Sequence, residues 1–439
     1  MVMPQKFMLR TFRHGTHPPA NKGTADFPLV PAEETTEYFV ALSQHIGAPA
    51  REIVAEGDRV LEGQRIAEPA AYVSAAVHSP VSGTVKGFVT LPTAAGGKCR
   101  HIVIENDFLH EKSFLEPLPE DADAEAIKNR IAEAGIVGMG GAGFPTHIKL
   151  SPRGGADTLI VNGAECEPYI TCDCRLMTEK AEEVADGVRL LRKALGAKRA
   201  VIAVEDNKRQ AIAALRPFEG DGLEVVRLRV KYPQGAEKQL ICAVTGRRVP
   251  PGALPADVGC VADNVHTAYA VSRAVRLGEP LYMRALTVAG GGVEKQGNYW
   301  VRTGTPFSFV YEKARGDLAE TVTDKVICGG PMMGFAQAGL EACCTKTTSA
   351  LLFLNSEQIS LNAPTECINC GRCFRGCPMF LSPREIERAV LAQDFVRAEK
   401  LNVNACIECG TCSYVCPAKR PLVQAVRLAK KTLGNGGGK

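Results

Sequence analysis

The chain has 439 residues, 45% hydrophobic and 23% charged, with a net charge of +4 and a pI near 8.2. That is the composition of a folded protein of roughly three domains at about 150 residues each. The charge is too weak and diffuse for nucleic-acid binding, and there is no apolar run of about 18 residues to span a bilayer.

The opening, "MVMPQKFMLR", lacks an apolar h-region, so cytoplasmic residence is expected. The 17 cysteines are then expected as thiols and not as disulfides. Between 51 and 90, short strands and the turns "EGD" and "SGT" resemble the barrel-sandwich fold of biotinyl and lipoyl carriers. No Lys lies between Glu68 and Ser79, where a carrier needs one, so a packing or docking module is expected.

"DADAEAIKNRIAEAG" reads as a helix. Behind it, "IVGMGGAGFPTHIKL" contains G-x-G-x-x-G at Gly138, Gly140 and Gly143. A dinucleotide fingerprint needs a strand before it and a long crossover helix after it, and neither is present. What remains is a glycine-rich loop opening a helix, with Pro145 near its first turn and Lys149 one turn on. Exposed amides, the helix dipole and a Lys suit a phosphate; a plain flexible turn is the alternative. "DTLIVNGAECEPYITCD" gives a strand, with Asn162, Glu165 and Glu167 just past its end. Carboxylates there can accept from hydroxyls or a carboxamide. Helix "EKAEEVADGVRLLRKAL", strand "RAVIAVED", helix "KRQAIAALRPF" and strand "LEVVRLRV" follow, an α/β layer pattern. Cys166, Cys172 and Cys174 lack two-residue spacing and read as incidental thiols. His147 reads as a surface His, and Trp300, the sole Trp, as core.

The last hundred residues hold the most specific signal. Cys367, Cys370, Cys373 and Cys377, then Cys406, Cys409, Cys412 and Cys416, each spell C-x2-C-x2-C-x3-C before a Pro. In two-cluster ferredoxins the fourth Cys of each run ligates the other cluster. One [4Fe–4S] cluster is therefore assigned to Cys367, Cys370, Cys373 and Cys416, and a second to Cys406, Cys409, Cys412 and Cys377. Paired zinc sites would need no third C-x2-C step. Ser382, Pro383 and Glu385 spell a capping box for a helical connector, and "PLVQAVRLAKK" gives a closing helix. Arg372, Arg375, Arg384, Lys419 and Arg420 form either a potential-raising set or a solvated rim.

"GMGGAGFPTHIKL", "NGAECEPY", "KYPQGAEKQLI" and "GCVADNVHTA" resemble the motifs of the NADH-binding flavoprotein of respiratory complex I. The resemblance implies that Gly138, Gly140, Gly141, Gly143, Lys149, Asn162 and Asn264 serve FMN. It places Glu165, Glu167 and Glu237 where flavin and nicotinamide meet. Met139 stands where that family has Arg, and Tyr169 interrupts a Gly-Thr pair. "RALTVAGGGVEKQGNYWVRTGTPFSFVYEKA", read as strands with a "GTPFSF" turn, resembles the β-grasp module that follows the flavin fold there.

The ordered set "GTHPP", "SQHIGAP", "HSPVSGTV", "NGAECEPYITCD", "GGPMMGF" and both cysteine runs resembles the RnfC family, a component of Rnf electron transport complexes. The expected architecture is a multidomain α/β protein with β modules. Its parts are an N-terminal barrel-sandwich region (1–115), an FMN/NADH-binding α/β domain (120–275), a β-grasp module (276–350) and an α-helical two-cluster ferredoxin domain (355–432). The resemblance implies NADH:ferredoxin electron transfer through FMN and two [4Fe–4S] clusters, coupled to ion movement by partner subunits. The implied partners are membrane-embedded subunits, an iron–sulfur subunit, NADH and, indirectly, ferredoxin; the implied place is the cytoplasmic face of the inner membrane. Two alternatives stay open: a stand-alone soluble flavin/iron–sulfur reductase such as a cobalamin reductase, and a non-catalytic electron wire.

Overall fold

Strands Thr158–Gly163, Arg199–Glu205, Leu223–Leu228 and Cys260–Asn264 form a parallel sheet. The computed structural model that shows this describes residues 9–316, 322–360 and 362–436. Along the first strand, Leu159 and Val161 enter one core, while Ile160 enters another. A strand apolar on both faces must be covered on both. Helices Ala124–Glu133, Ala181–Leu195 and Val265–Leu277 contribute to the first core, and helix Glu237–Thr245 to the second.

The spatial order places Leu223–Leu228 at one edge, then Arg199–Glu205, Thr158–Gly163 and Cys260–Asn264. Chain direction across the sheet therefore reverses beside Thr158–Gly163. At that switch point Asn162 lies opposite Asn264, the place where such sheets bind ligands. The glycine-rich loop precedes the first strand here, whereas in a dinucleotide fingerprint it follows it. The "helix" after that loop is a single turn, Thr146–Lys149, so the loop amides matter more than any helix dipole.

Helices Ala181–Leu195 and Val265–Leu277 touch closely because Gly187 has no side chain. A Cβ there would sit 1.7 Å from the Ala268 carbonyl oxygen. Backbone cannot yield as a side-chain tip does, so Gly187→Ala should destabilise the domain by about 3 kcal/mol. Urea unfolding followed by circular dichroism measures this; an unchanged midpoint would contradict the packing.

The N-terminal module is two antiparallel sheets. One orders Glu37–Ala41, Lys98–Asn106, Gly83–Pro92 and Arg59–Val60; the other orders Arg51–Glu52, Arg65–Glu68 and Val77–His78. Ile102 and Ile104, two apart on one strand, both point into the core between them. The third module is a six-stranded sheet that extends past 276–350 at both ends. Strand Leu29–Pro31 pairs with Gly297–Arg302 at one edge, and Ala350–Leu354 runs through its middle. "GTPFSF" is not a turn: Pro306 precedes helix Phe307–Arg315. Trp300 packs against His266 and Tyr269 at the core margin.

Lys346 joins three modules. Its buried ammonium donates to the carbonyls of Ala76 (2.6 Å) and Gly135 (2.7 Å), while its backbone N–H donates to Gln44. Burial without a carboxylate pushes this amine down from 10.5 to about 7. Between those values the unfolded chain holds a proton that the folded chain lacks, so stability rises with pH across that window. The contribution is about 5 kcal/mol at most. Melting curves of Lys346→Met should lose that rise relative to the parent; parallel pH profiles would contradict it.

The C-terminal domain is helical: Arg372–Gly376, Pro383–Leu391, Phe395–Lys400, Thr411–Tyr414 and Leu422–Gly436. Pro383 opens the connector as expected, but Ser382 makes no side-chain cap. Glu385 turns away to Arg397 at 3.2 Å, with Arg384 and Arg388 nearby. Tertiary cations outcompete one backbone N–H for that carboxylate. No helix among the described residues is long and apolar enough to cross a membrane.

Candidate functional site

Two cysteine cavities lie in the helical domain. Cys367, Cys370, Cys373 and Cys416 line the first, with Arg384, Glu387 and Arg420. Cys377, Cys406, Cys409 and Cys412 line the second, with Met379, Leu381, Ile386 and Val426. The fourth cysteine of each run thus stands in the other run's cavity. Backbone N–H groups of Leu381 and Glu408 point at the sulfurs of Cys377 (3.4 Å) and Cys406 (3.3 Å). Burial raises the Cys406 thiol to about 11, so without a metal that thiol holds its proton; bound iron would displace it.

The sheet's switch point faces this domain. Lys149 donates to the Ala262 carbonyl (2.6 Å) and stands 3.6 Å from Glu237. Gly140 and Gly141 are exposed at the loop tip, and a Cβ on Gly140 would sit 2.9 Å from the Asn264 amide. The Asn264 oxygen caps helix Val265–Leu277 through the His266 N–H (2.8 Å), and its amide donates to Asp173 (2.8 Å). Asn162 holds the Gly235 carbonyl (2.8 Å). Gly138, Gly140, Lys149, Asn162, Asn264 and Glu237 therefore gather at one crevice, whereas Gly143 is buried against Gln44, His45 and Thr347. Met139, where the complex I family has Arg, is buried in the core and gives its N–H to Thr267.

Glu165 and Glu167 do more structural work than a free acceptor would. Glu165 accepts from the Asp173 N–H (2.7 Å), at the start of helix Cys172–Glu179. One oxygen of Glu167 accepts from Met333 N–H (2.8 Å) and lies 3.3 Å from the Tyr232 hydroxyl oxygen, and the other accepts from Met332 N–H (3.1 Å). Burial raises each carboxyl to about 7. For Glu165 the nearby Lys22 opposes that rise, and for Glu167 the two Met amides do. The turn itself is unusual: Glu165 and Tyr169 have φ of 45° and 70°. Tyr169 thus keeps the left-handed backbone that a Gly adopts freely.

Sequence reasoning missed the residues that hold this turn. Lys22 gives its ammonium to the carbonyls of Glu165 (2.9 Å), Glu167 (2.8 Å) and Ile170. "GTHPP" clamps the flavin-type domain to the helical one: Gly15 N–H donates to Gly376, and Thr16 exchanges both backbone bonds with Tyr232. "GGPMMGF", without a role in the sequence, supplies the Met332 and Met333 amides and packs on Gly410 of the second cavity. Tyr232 OH completes the junction by donating to the Cys409 carbonyl (2.8 Å). Cys172 is buried near Glu165 and Asp173, yet it donates to the Ser349 carbonyl, as an incidental thiol does. His147 is half-buried, with Nδ1 unpartnered.

An α/β crevice of this kind, joined through Tyr232 to a paired-cysteine helical domain, defines an iron–sulfur flavoprotein oxidoreductase. Family models match in the same order: the RnfC barrel sandwich hybrid domain over residues 10–109, the Nuo51 FMN-binding domain over 131–273 and a 4Fe–4S dicluster domain over 359–417. The chain is 45% identical to the RnfC-type component of the Na(+)-translocating ferredoxin:NAD(+) oxidoreductase complex of Acetobacterium woodii, over 96% of this chain and 97% of that one. It is 43% identical to the proton-translocating counterpart of Clostridium ljungdahlii, over 96% and 94%. Among solved structures, an NAD+-reducing [NiFe]-hydrogenase in the H2-reduced state shares the fold, with TM-score 0.50 and 22% identity over 70% of this chain and 62% of that chain. The chain belongs to the RnfC family of ion-translocating ferredoxin:NAD oxidoreductase (Rnf) complexes. It is accordingly one member of a multi-subunit electron-transport oxidoreductase, with an FMN-binding domain and a [4Fe–4S] dicluster domain.

The residues present fit these groups. Asp173 Oδ1 and Asp263 Oδ2 are buried at the crevice without hydrogen-bond partners among the described residues. Orphaned acceptors are what a polyhydroxyl chain such as ribityl would satisfy. Lys149, near Gly138 of the glycine loop, would supply a cation for its phosphate. Each cysteine cavity offers the four thiolates a cubane needs.

Proposed function

We propose that this chain moves electrons between NADH at the switch-point crevice and a one-electron carrier beyond the helical domain, in the order flavin, second cavity, first cavity. The observation that carries the reading is the Tyr232 hydroxyl, which gives its one proton to the Cys409 carbonyl of the second cavity (2.8 Å) and lies 3.3 Å from Glu167 of the crevice turn. Gln239 adds a contact to Met379 (3.2 Å). The first cavity lies on the outer side, where Cys367 is exposed. FMN, when bound, supplies the exchange between a two-electron hydride donor and one-electron acceptors. Gly138, Gly140, Gly141, Gly143, Lys149, Asn162 and Asn264 would hold it; Glu165 and Glu237 would border the nicotinamide. Glu167 and Tyr232 position the turn against the second cavity. Lys22 and "GTHPP" keep that distance fixed.

The relatives' names support NADH and ferredoxin as the terminal redox partners and ion translocation as the coupled work. The anchor is then a membrane-embedded partner, with an iron–sulfur protein between it and ferredoxin, at the cytoplasmic face of the inner membrane. Freeze-quench EPR after mixing cofactor-replete protein with NADH should show the second-cavity cluster reduced before the first. Reversed order would contradict the path.

A further inference from the structure

We infer that the outer rim of the first cysteine cavity is the docking face for an acidic one-electron carrier protein. The inference rests on the electron order proposed above. The segment 362–369 is exposed throughout and carries Cys367, a ligand-type cysteine at the surface. A redox group with one ligand in solvent is reachable by a partner. Its counterpart is not: Cys377, Cys409 and Cys412 are buried.

Two features make the rim a recognition surface. Ile368 is 68% exposed and Phe374 47% exposed, both within the first run. Around them, Arg372, Arg375 and Lys419 are exposed, and Arg420 lies at the cavity wall. Arg420 is matched by Glu387 at 2.9 Å, and Arg375 leans on the Cys370 carbonyl at 2.9 Å. Arg372 and Lys419 have no ion-pair partner among the described residues. Glu366 is the single exposed acid in the segment. An apolar centre with unmatched cations at its edge suits an acidic protein: the apolar pair gives contact area, and the cations steer approach. One electron then passes between the carrier and the first-cavity cluster; one partner is oxidised, the other reduced, and no bond changes.

The test uses cofactor-replete full-length protein and an acidic plant-type [2Fe–2S] ferredoxin as probe. Equilibrium binding is measured by biolayer interferometry at several salt concentrations. Wild-type affinity should fall with salt. The double variant Arg372→Glu/Lys419→Glu should bind about tenfold more weakly or worse, with a flattened salt dependence. Ile368→Ser should weaken binding while keeping the salt slope. Equal affinity of wild type and double variant overturns the proposal. So does loss of binding to phosphatidylglycerol vesicles with ferredoxin affinity intact, which would make the rim a lipid face. NADH-driven cluster EPR on the same samples reads the electron order separately: a normal order with unaltered ferredoxin binding refutes the docking face alone.

Discussion

Cys416→Ser should abolish the cluster of the first run and leave that of its own run in place. Cys416 lies in the second motif, yet it lines the cavity of Cys367, Cys370 and Cys373. The reciprocal position, Cys377, lines the other. Removing one thiolate from a four-thiolate cubane site leaves an iron without its ligand, and iron content should fall from about eight atoms to about four. In the proposed order, NADH should still reduce the remaining cluster, while onward transfer to an external carrier fails. Cys377→Ser should do the opposite and isolate the flavin from both. Iron analysis with EPR checks both. If Cys416→Ser removed the Cys406 run's cluster, the crossed arrangement would be wrong.

Lys149→Met should weaken FMN binding about 10- to 100-fold and leave riboflavin binding nearly unchanged. Hydrogen bonds to charged groups contribute roughly 1.5–3 kcal/mol, and riboflavin lacks the phosphate that would receive this one. Lys149 holds its place through the Ala262 carbonyl and Glu237, so its loss should spare the sheet. Quenching of flavin fluorescence on titration into flavin-free protein measures both ligands. Equal losses for both would mean that Lys149 serves the scaffold and not the phosphate.

How much of this was readable in the residues depends on distance along the chain. The cysteine runs are local, and their spacing together with the crossed ligation of two-cluster ferredoxins predicted their partition. The parallel sheet was legible because strands such as "TLIVNG" and "RAVIAVE" are apolar on both faces between helical segments. The crevice residues came from a motif resemblance, and the fold brings them together at Asn162 and Asn264. What stayed hidden depends on chain crossings. Lys22 lies in an arm of Pro, Asn and Gly with no periodicity, yet it reaches the turn at Glu165 and Glu167. Gly15 must be Gly because a Cβ would meet the Tyr232 carbonyl oxygen at 2.5 Å, a fact set by a residue more than two hundred positions away. Asp173 and Asp263 lie within the motifs "NGAECEPYITCD" and "GCVADNVHTA" without a role there; their unpaired oxygens mark them. The capping box at Ser382 failed for the same reason, since Arg397 offered Glu385 a stronger partner than a local N–H.

Glu167 shows how a motif residue can change role. The resemblance put it at the meeting of flavin and nicotinamide. In the structure both its oxygens are engaged by Met332, Met333 and Tyr232. The acid therefore links the crevice to the second cavity, and "GGPMMGF" gains a purpose as its donor loop.

The central claim is a nicotinamide-reducible flavin lodged beside two crosswise-held cubanes on one chain. The most direct measurement is anaerobic reconstitution of the purified chain with iron, sulfide and FMN, followed by cofactor counting and addition of NADH. The account predicts about eight iron atoms and one FMN per chain, with NADH bleaching the flavin band. Protein that fills with iron yet takes up no FMN from excess, or holds FMN that NADH leaves oxidised, would contradict it.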